Sequence, residues 1–170
     1  IRDGVFVVGD VMTDVLRKMT REARAVLAKM DVPAHYYLAT VHRQENTDDP
    51  KRLEGILEGL GSLPHPVVLP LHPRTRSRLK AFKLRVPANI TTLDPVSYTG
   101  SLGLIIGSRA VLTDSGGLQK EAFLLGKPCI TLRDTTEWME TLSGGANRLV
   151  GPRARTILLA VRAIERQPPK

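Results

Sequence analysis

Four loops in this 170-residue chain carry residue types that bind charged ligands. The most distinctive reads Thr113-Asp114-Ser115-Gly116-Gly117-Leu118-Gln119-Lys120-Glu121. Its glycines let the backbone approach a ligand closely. The helix that follows starts there, and the N–H groups and dipole of a helix start favour an anion such as phosphate. Ser115 suits either the cap of that helix or a phosphate oxygen. Glu121, about one turn further on, can accept hydrogen bonds from two vicinal hydroxyls, as on a ribose. A plain capped helix satisfies the same pattern. The second loop, Thr40-Val41-His42-Arg43-Gln44-Glu45-Asn46, sets a histidine beside an arginine. Such a pair suits a pyrophosphate, which arginine engages with two parallel hydrogen bonds. The alternative is internal, with His42 on a backbone carbonyl and Arg43 on Glu45. The third loop is Leu71-His72-Pro73-Arg74. The fourth, Arg133-Asp134-Thr135-Thr136-Glu137-Trp138, mixes a cation, acids and hydroxyls and suits a sugar or phosphate. Trp138 fits a core position better than a stacking face.

The elements that must position these loops alternate. Short, nearly continuous Val/Ile/Leu runs predict strands over Val5–Val8, Tyr36–Val41, Val67–Leu71, Ile90–Leu93, Ala110–Thr113, Pro128–Leu132 and Arg148–Val150. Amphipathic stretches predict helices over Val11–Lys29, Pro50–Leu60, Thr75–Phe82, Ser97–Ile106, Leu118–Leu125, Trp138–Leu142 and Ala154–Arg166. Unbroken apolar strands are those of a parallel sheet covered on both faces. The expected fold is therefore α/β, a Rossmann-like, doubly wound sheet. Asp48-Asp49-Pro50 reads as a cap with proline at the first helical position. Gly126-Lys127-Pro128 reads as a helix stop before a strand, and Asp10 and Asp14 as a cap and a surface acid. In such sheets ligands sit beyond the carboxyl ends of the strands, which is where all four loops fall.

Composition bounds the partners. The length suits one domain, and 42% hydrophobic with 25% charged residues is globular. The single cysteine, Cys129, excludes an internal disulfide and a cysteine-based zinc site, so a cytoplasmic setting is expected. No apolar run approaches the roughly 18 residues of a membrane span. The start, Ile1-Arg2-Asp3-Gly4, has neither an initiator methionine nor a signal peptide, and the chain is expected to be part of something longer. A net charge of +8 calls for a solvated basic surface or an anionic partner. The densest basic run is Arg74, Arg76, Arg78, Lys80, Lys83 and Arg85, with no acid between them. It reads as a solvated face, with nucleic acid as the rival. Against nucleic acid stand an aromatic content of 4% and the lack of any helix-turn-helix, OB or RRM signature. His35 and His65 show no metal-ligand spacing. No Ser-His-Asp order, Walker pattern or dinucleotide fingerprint is present.

Taken in order, six motifs resemble the non-hydrolysing UDP-N-acetylglucosamine 2-epimerases over essentially the whole chain. They are Gly9-Asp10-Val11-Met12-Thr13-Asp14, Val41-His42-Arg43-Gln44-Glu45-Asn46, Leu71-His72-Pro73, Leu112-Thr113-Asp114-Ser115-Gly116-Gly117-Leu118-Gln119-Lys120-Glu121-Ala122, Gly126-Lys127-Pro128 and Leu132-Arg133-Asp134-Thr135-Thr136-Glu137. The resemblance implies the C-terminal half of a GT-B-like, two-domain fold, with an absent N-terminal domain as partner and a homodimer in the full-length enzyme. It implies that His42 contacts a diphosphate, that Ser115, Gly116 and Gly117 bind it at the helix start, and that Glu121 holds the ribose hydroxyls. Pro95–Ser101, with Val96 and Ser101, should border the uracil. Arg133 and Trp138 complete the implied substrate-binding set. The family reaction inverts C2 of the sugar by eliminating UDP to a 2-acetamidoglucal and re-adding it on the other face. The carboxylates that move the C2 proton belong to the absent half, so the isolated chain should bind UDP weakly and not turn over. No organic cofactor and no metal are implied.

Two positions depart from the family pattern. Trp138 stands where many members carry an arginine that reaches the nucleotide sugar, and Ser101 where a bulky apolar residue is common. With Gln44 and Lys120-Glu121-Ala122-Phe123, Trp138 resembles a subgroup acting on UDP-2,3-diacetamido-2,3-dideoxyglucuronate. Some bacterial members also bind a second, activating nucleotide sugar, for which the resemblance offers Arg43 and His72. A GT-B glycosyltransferase half is the remaining enzyme alternative.

Overall fold

A computed structural model describes residue 4, residue 6 and residues 8–166. Six short strands form one sheet: β1 (Tyr37–Thr40), β2 (Val67–Pro70), β3 (Ile90–Leu93), β4 (Val111–Thr113), β5 (Cys129–Thr131) and β6 (Asn147–Leu149). Every neighbouring pair is parallel, in the order β3-β2-β1-β4-β5-β6. This is the doubly wound order, with its reversal point between β1 and β4.

Side chains alternate across each strand, so each β-run feeds two layers. Tyr37 and Ala39 face one side, where α3 (Pro50–Gly61), α4 (Pro73–Ala81) and α7 (Ala154–Arg166) pack through Leu53, Ile56, Leu60, Leu79, Ile157 and Val161. Tyr36 and Leu38 face the other, against Leu104 and Ile105 of α5 (Tyr98–Gly107) and Ala122 of α6 (Gly116–Leu124). A further helix, α1 (Val11–Leu27), lies on the outside of α5 through Leu16, Ala23 and Leu102. A one-turn helix, α2 (Gln44–Thr47), follows β1.

The caps explain the boundaries. Asp10 accepts from Met12 N at the start of α1, and Asp49 accepts from Lys51 N ahead of Pro50 at the start of α3. Gly126 adopts φ +64°, a conformation that ends α6 cleanly before β5.

Most predicted elements lie within one to two residues of the observed ones, and three expectations change. The strand expected at Val5–Val8 lies in part outside the described residues; Phe6 and Val8 are exposed and belong to no strand. The helix expected at Trp138–Leu142 is instead a 3-10 segment over Met139–Gly145, broken at Ser143 and at Gly144, where φ is +70°. Two glycines there remove the conformational restriction a continuous helix needs. The run Gly116-Gly117 is helical, so α6 starts two residues before the predicted Leu118.

The α1–α5 contact is the closest of the helix packings. A Cβ on Gly103 would sit 2.6 Å from the Ala23 carbonyl oxygen and 3.2 Å from Leu27 Cβ. Gly103→Ala therefore pushes α1 off α5 and costs about 2 kcal/mol. A melting experiment should show Tm lowered by roughly 5 °C; an unchanged Tm would mean α1 is not seated as described.

Candidate functional site

The site begins where β1 and β4 lie side by side while their connections run to opposite edges of the sheet. The loops after these two strands meet across that point. Their hydroxyls touch, Thr40 Oγ1 and Thr113 Oγ1 being 2.6 Å apart. Behind them Asp114 is completely buried. Its carboxylate accepts from the His42 backbone N–H at 3.0 and 3.1 Å, from Arg43 N–H at 2.9 Å and from Asn46 Nδ2 at 3.1 Å. Asn46, also buried, donates to the Leu132 carbonyl at 2.9 Å and so ties in the loop after β5. One carboxylate thus gathers the turn after β1, the start of α2 and the mouth of β4.

This places the predicted residues as follows. The His42 ring is about one-third exposed, with Nδ1 3.6 Å from Asp114 Oδ1. Burial holds its imidazole below the ordinary histidine value; Asp114 opposes that, while His72 and Arg43 reinforce it. His72 caps α4, its Nδ1 accepting from Arg74 N–H at 3.1 Å. The two rings lie 5.6 Å apart between centroids. With Pro95, Val96, Ser101 and Leu118 they line a cavity of about 160 Å³. That is below the ~300 Å³ of a whole-ligand pocket, so it fits one part of a ligand. Val96 and Ser101 thus line the same cavity as His42 and His72.

Across the cleft α6 begins. Ser115 is its cap, its Oγ 3.5 Å from Leu118 N, and its own N–H donates to Thr113 Oγ1 at 2.9 Å. The first-turn N–H groups have no intrahelical partner. Gly116 is buried, and a Cβ there would lie 2.0 Å from Glu137 Oε1, so any side chain would have to displace that carboxylate. Gly117 is exposed and faces open space apart from Ser115 Oγ and Met12 Cε near 4 Å. Its missing side chain leaves the helix start accessible. Glu121 is 6% exposed, and burial raises its carboxyl above the usual range, while the neighbouring Tyr98 hydroxyl lowers it in part.

The fourth loop departs from its expectation. Arg43 does not pair with Glu45. It reaches Glu137 at 3.5 Å, while Arg133 holds Glu45 at 2.9 Å and Glu137 at 2.6 Å. The Arg133 side chain is only 13% exposed and is committed to these two acids. Trp138 is half-buried rather than core. Lys120 Nζ stands 4.7 Å from its ring centre and 2.9 Å from Asp10, and the indole N–H is buried without a partner. The basic run is partly neutralised too: Arg74 and Arg78 pair with Asp48, and Arg76 pairs with Asp94. Sequence reasoning gave no role to Asp114, Asn46, Glu137 or Tyr98. The only signal for Asp114 was an acid directly after an apolar strand.

A larger cavity, about 530 Å³, opens at the opposite end of the strands, beside Tyr37, Lys127 and Glu165. Helix carboxyl ends gather there, and its cations serve them: Lys127 donates to the Ser108 carbonyl at 2.8 Å, and Arg109 reaches Glu165 at 3.5 Å. It is remote from every candidate loop. Among the described residues no group of three or more His, Cys, Asp or Glu side chains could hold a metal ion, and no helix is long and apolar enough to cross a membrane.

Residues 2–169 match the family UDP-N-acetylglucosamine 2-epimerase. A UDP-2,3-diacetamido-2,3-dideoxy-D-glucuronate 2-epimerase from Pseudomonas aeruginosa is 49% identical over 149 residues, 85% of this chain and 41% of that protein. A UDP-N-acetylglucosamine 2-epimerase from Methanocaldococcus jannaschii is 38% identical over 171 residues, 92% of this chain and 47% of that protein. The structure of the Methanocaldococcus jannaschii UDP-GlcNAc 2-epimerase in complex with UDP-GlcNAc and UDP superposes with a TM-score of 0.88 at 36% identity, covering all of this chain and 50% of that one. The chain therefore spans about half the length of the relatives it matches. Family match, sheet order and the shared loops agree: the chain belongs to the UDP-N-acetylglucosamine 2-epimerase family.

Proposed function

We propose that this chain is the UDP-binding half of a UDP-sugar 2-epimerase. The observation that carries the reading is the meeting of His42 and the α6 start at Ser115–Gly117 at one reversal point of the sheet, with buried Glu121 further along α6. Helix N–H groups and His42 meet the diphosphate. Glu121 takes the ribose hydroxyls, and the cavity at Val96 and Ser101 takes the edge of the base. The substrate of the first reading is UDP-N-acetylglucosamine, interconverted with UDP-N-acetylmannosamine. A base removes the C2 proton and the C1–O bond breaks with its electron pair going to the β-phosphate. UDP then re-adds to the glucal as a proton returns to the other face of C2. The present half supplies electrostatic stabilisation of the leaving diphosphate. The proton-moving groups come from the other domain, which is a required partner. The setting is the cytoplasm, where a lone thiol such as buried Cys129 stays reduced.

A second reading changes the sugar. The 49% identity to the P. aeruginosa protein and the Trp138 indole favour a 2,3-diacetamido glucuronate. The enzyme reassembled with its other half should be assayed on both UDP-sugars. A kcat/KM at least tenfold higher for UDP-N-acetylglucosamine upholds the first reading; the reverse ratio establishes the second.

The chain alone should bind UDP and show no epimerisation. Titration with UDP, followed by NMR, should shift signals at His42, Ser115–Gly117 and Glu121. Turnover of a UDP-sugar by the purified chain would sink the division of labour.

Binding should also depend on pH through Glu121. Only the ionised carboxylate accepts both hydroxyls. Burial raises its value, so the acid form appears above the usual carboxylate range as pH falls. UDP affinity should weaken over that interval, and Glu121→Gln should bind more weakly at neutral pH and lose this acid limb. Because burial disfavours the charged form, Glu121 contributes stability below its ordinary value and loses it as pH rises through the raised one.

A further inference from the structure

The proton positions on the two cleft histidines follow from what each Nδ1 meets. His72 Nδ1 accepts the Arg74 N–H at 3.1 Å, so its lone pair is there and its proton is on Nε2. His42 Nδ1 faces the buried Asp114 carboxylate at 3.6 Å, beyond hydrogen-bond length but with no other acid near it. A proton on that nitrogen is favoured, which leaves the lone pair on Nε2. The facing rings thus carry opposite tautomers.

We propose that His42 stands in the free site with a bare Nε2 and takes up a proton when the diphosphate binds, with Asp114 and His72 as the positioning residues that keep it in that form. The inference rests on the reading of this cleft as a UDP site and adds the protonation state that site requires. A diphosphate offers only acceptor oxygens. A bare Nε2 is the wrong partner for it, whereas an imidazolium donates from Nε2 while Asp114 balances its charge across the ring. The charged and titratable groups facing His42 are Asp114 from the loop after β4, His72 from the turn after β2 and Arg43 beside it. Asp114 alone favours the imidazolium. His72, Arg43 and burial oppose it, and they are overcome when a second anion arrives. The proton comes from solvent and no covalent bond changes. As the C1–O bond then breaks and its electron pair moves to the β-phosphate, the imidazolium already faces the growing charge. His72 need not touch the phosphate: its backbone-fixed tautomer points an N–H, not a lone pair, away from the α4 cap.

Long-range proton–nitrogen NMR of the chain with labelled histidine reads this directly, as a pH series with and without saturating UDP. In the free protein His42 should appear with its proton on Nδ1 and His72 with its proton on Nε2. UDP should raise the His42 titration midpoint by at least about one pH unit. UDP affinity should then fall, by up to about tenfold per pH unit, between the free and the complex midpoints and level off above the latter. His72→Asn keeps a cap acceptor; it should raise the free His42 midpoint and leave its tautomer unchanged. Asp114→Asn should scramble the His42 tautomer and lower its midpoint; if that variant does not fold, the unsubstituted spectra decide. A His42 proton on Nε2 in the free protein, or UDP binding without movement of the His42 midpoint, overturns the proposal. Opposite tautomers with no UDP-induced shift anywhere, on a folded chain, would instead overturn the UDP reading and the proton uptake with it.

Discussion

A carboxylate with no exposure to water sits where β1 and β4 diverge, and the candidate site is arranged around it. Taking such a charge out of water costs several kcal/mol unless it is well paired. Asp114 is paired with backbone N–H groups of His42 and Arg43 and with the Asn46 amide. Those donors belong to a segment about seventy residues away in sequence. The stabilisation is therefore available only when the turn after β1 and the loop before α6 hold one mutual geometry. The His42 backbone is thereby fixed relative to the α6 start. That is the kind of preorganisation from which electrostatic stabilisation of a leaving group draws its strength.

The loop after β5 is held by a second set of buried polar contacts. Gln119 accepts from Thr136 at 2.6 Å, and Asn147 links Gln119, Thr131 and Thr141. Paired polar groups in a low-dielectric interior strengthen and orient one another. Their effect is to seat residues 133–138 over the first turn of α6, where Glu137 closes on Gly116 and the Arg43–Glu137–Arg133–Glu45 chain of charges rims the cleft. A bare Gly116 thus leaves room for the Glu137 carboxylate. A bare Gly117 keeps the helix start open. Adjacent glycines in one motif meet different requirements.

Strands and helices were legible because most β-runs are largely apolar and several helices announce their start: Asp49 before Pro50, Ser97 before Tyr98, Ser115 before Gly116. The one-turn α2 was not, since Arg43 at its cap makes no side-chain hydrogen bond and four residues carry no period. What spacing could not convey was which strands lie side by side. The β1–β4 pairing makes Asp114 the partner of His42, and nothing local to either residue says so. For the same reason the internal alternative, Arg43 on its sequence neighbour Glu45, is not the pairing formed: the partner is Glu137. The basic run likewise looked free because Asp48 and Asp94 lie outside it.

The net charge of +8 therefore says little about how the cleft handles an anion. Arg133 is committed to two acids, Arg43 leans on one of them, and the α4 arginines are partly neutralised by Asp48 and Asp94. What remains at the reversal point is mostly uncharged: helix N–H groups, hydroxyls and an imidazole kept below its ordinary value by burial. For the elimination and re-addition proposed above this is a fitting balance. UDP must be stabilised as it departs, yet it must stay reactive enough to attack the glucal again. A permanent cation would favour the departed, more negative anion over the bound substrate and so oppose its re-addition. Neutral donors and a histidine that is charged only while the diphosphate is bound stabilise the departing group without placing a permanent cation in the cleft.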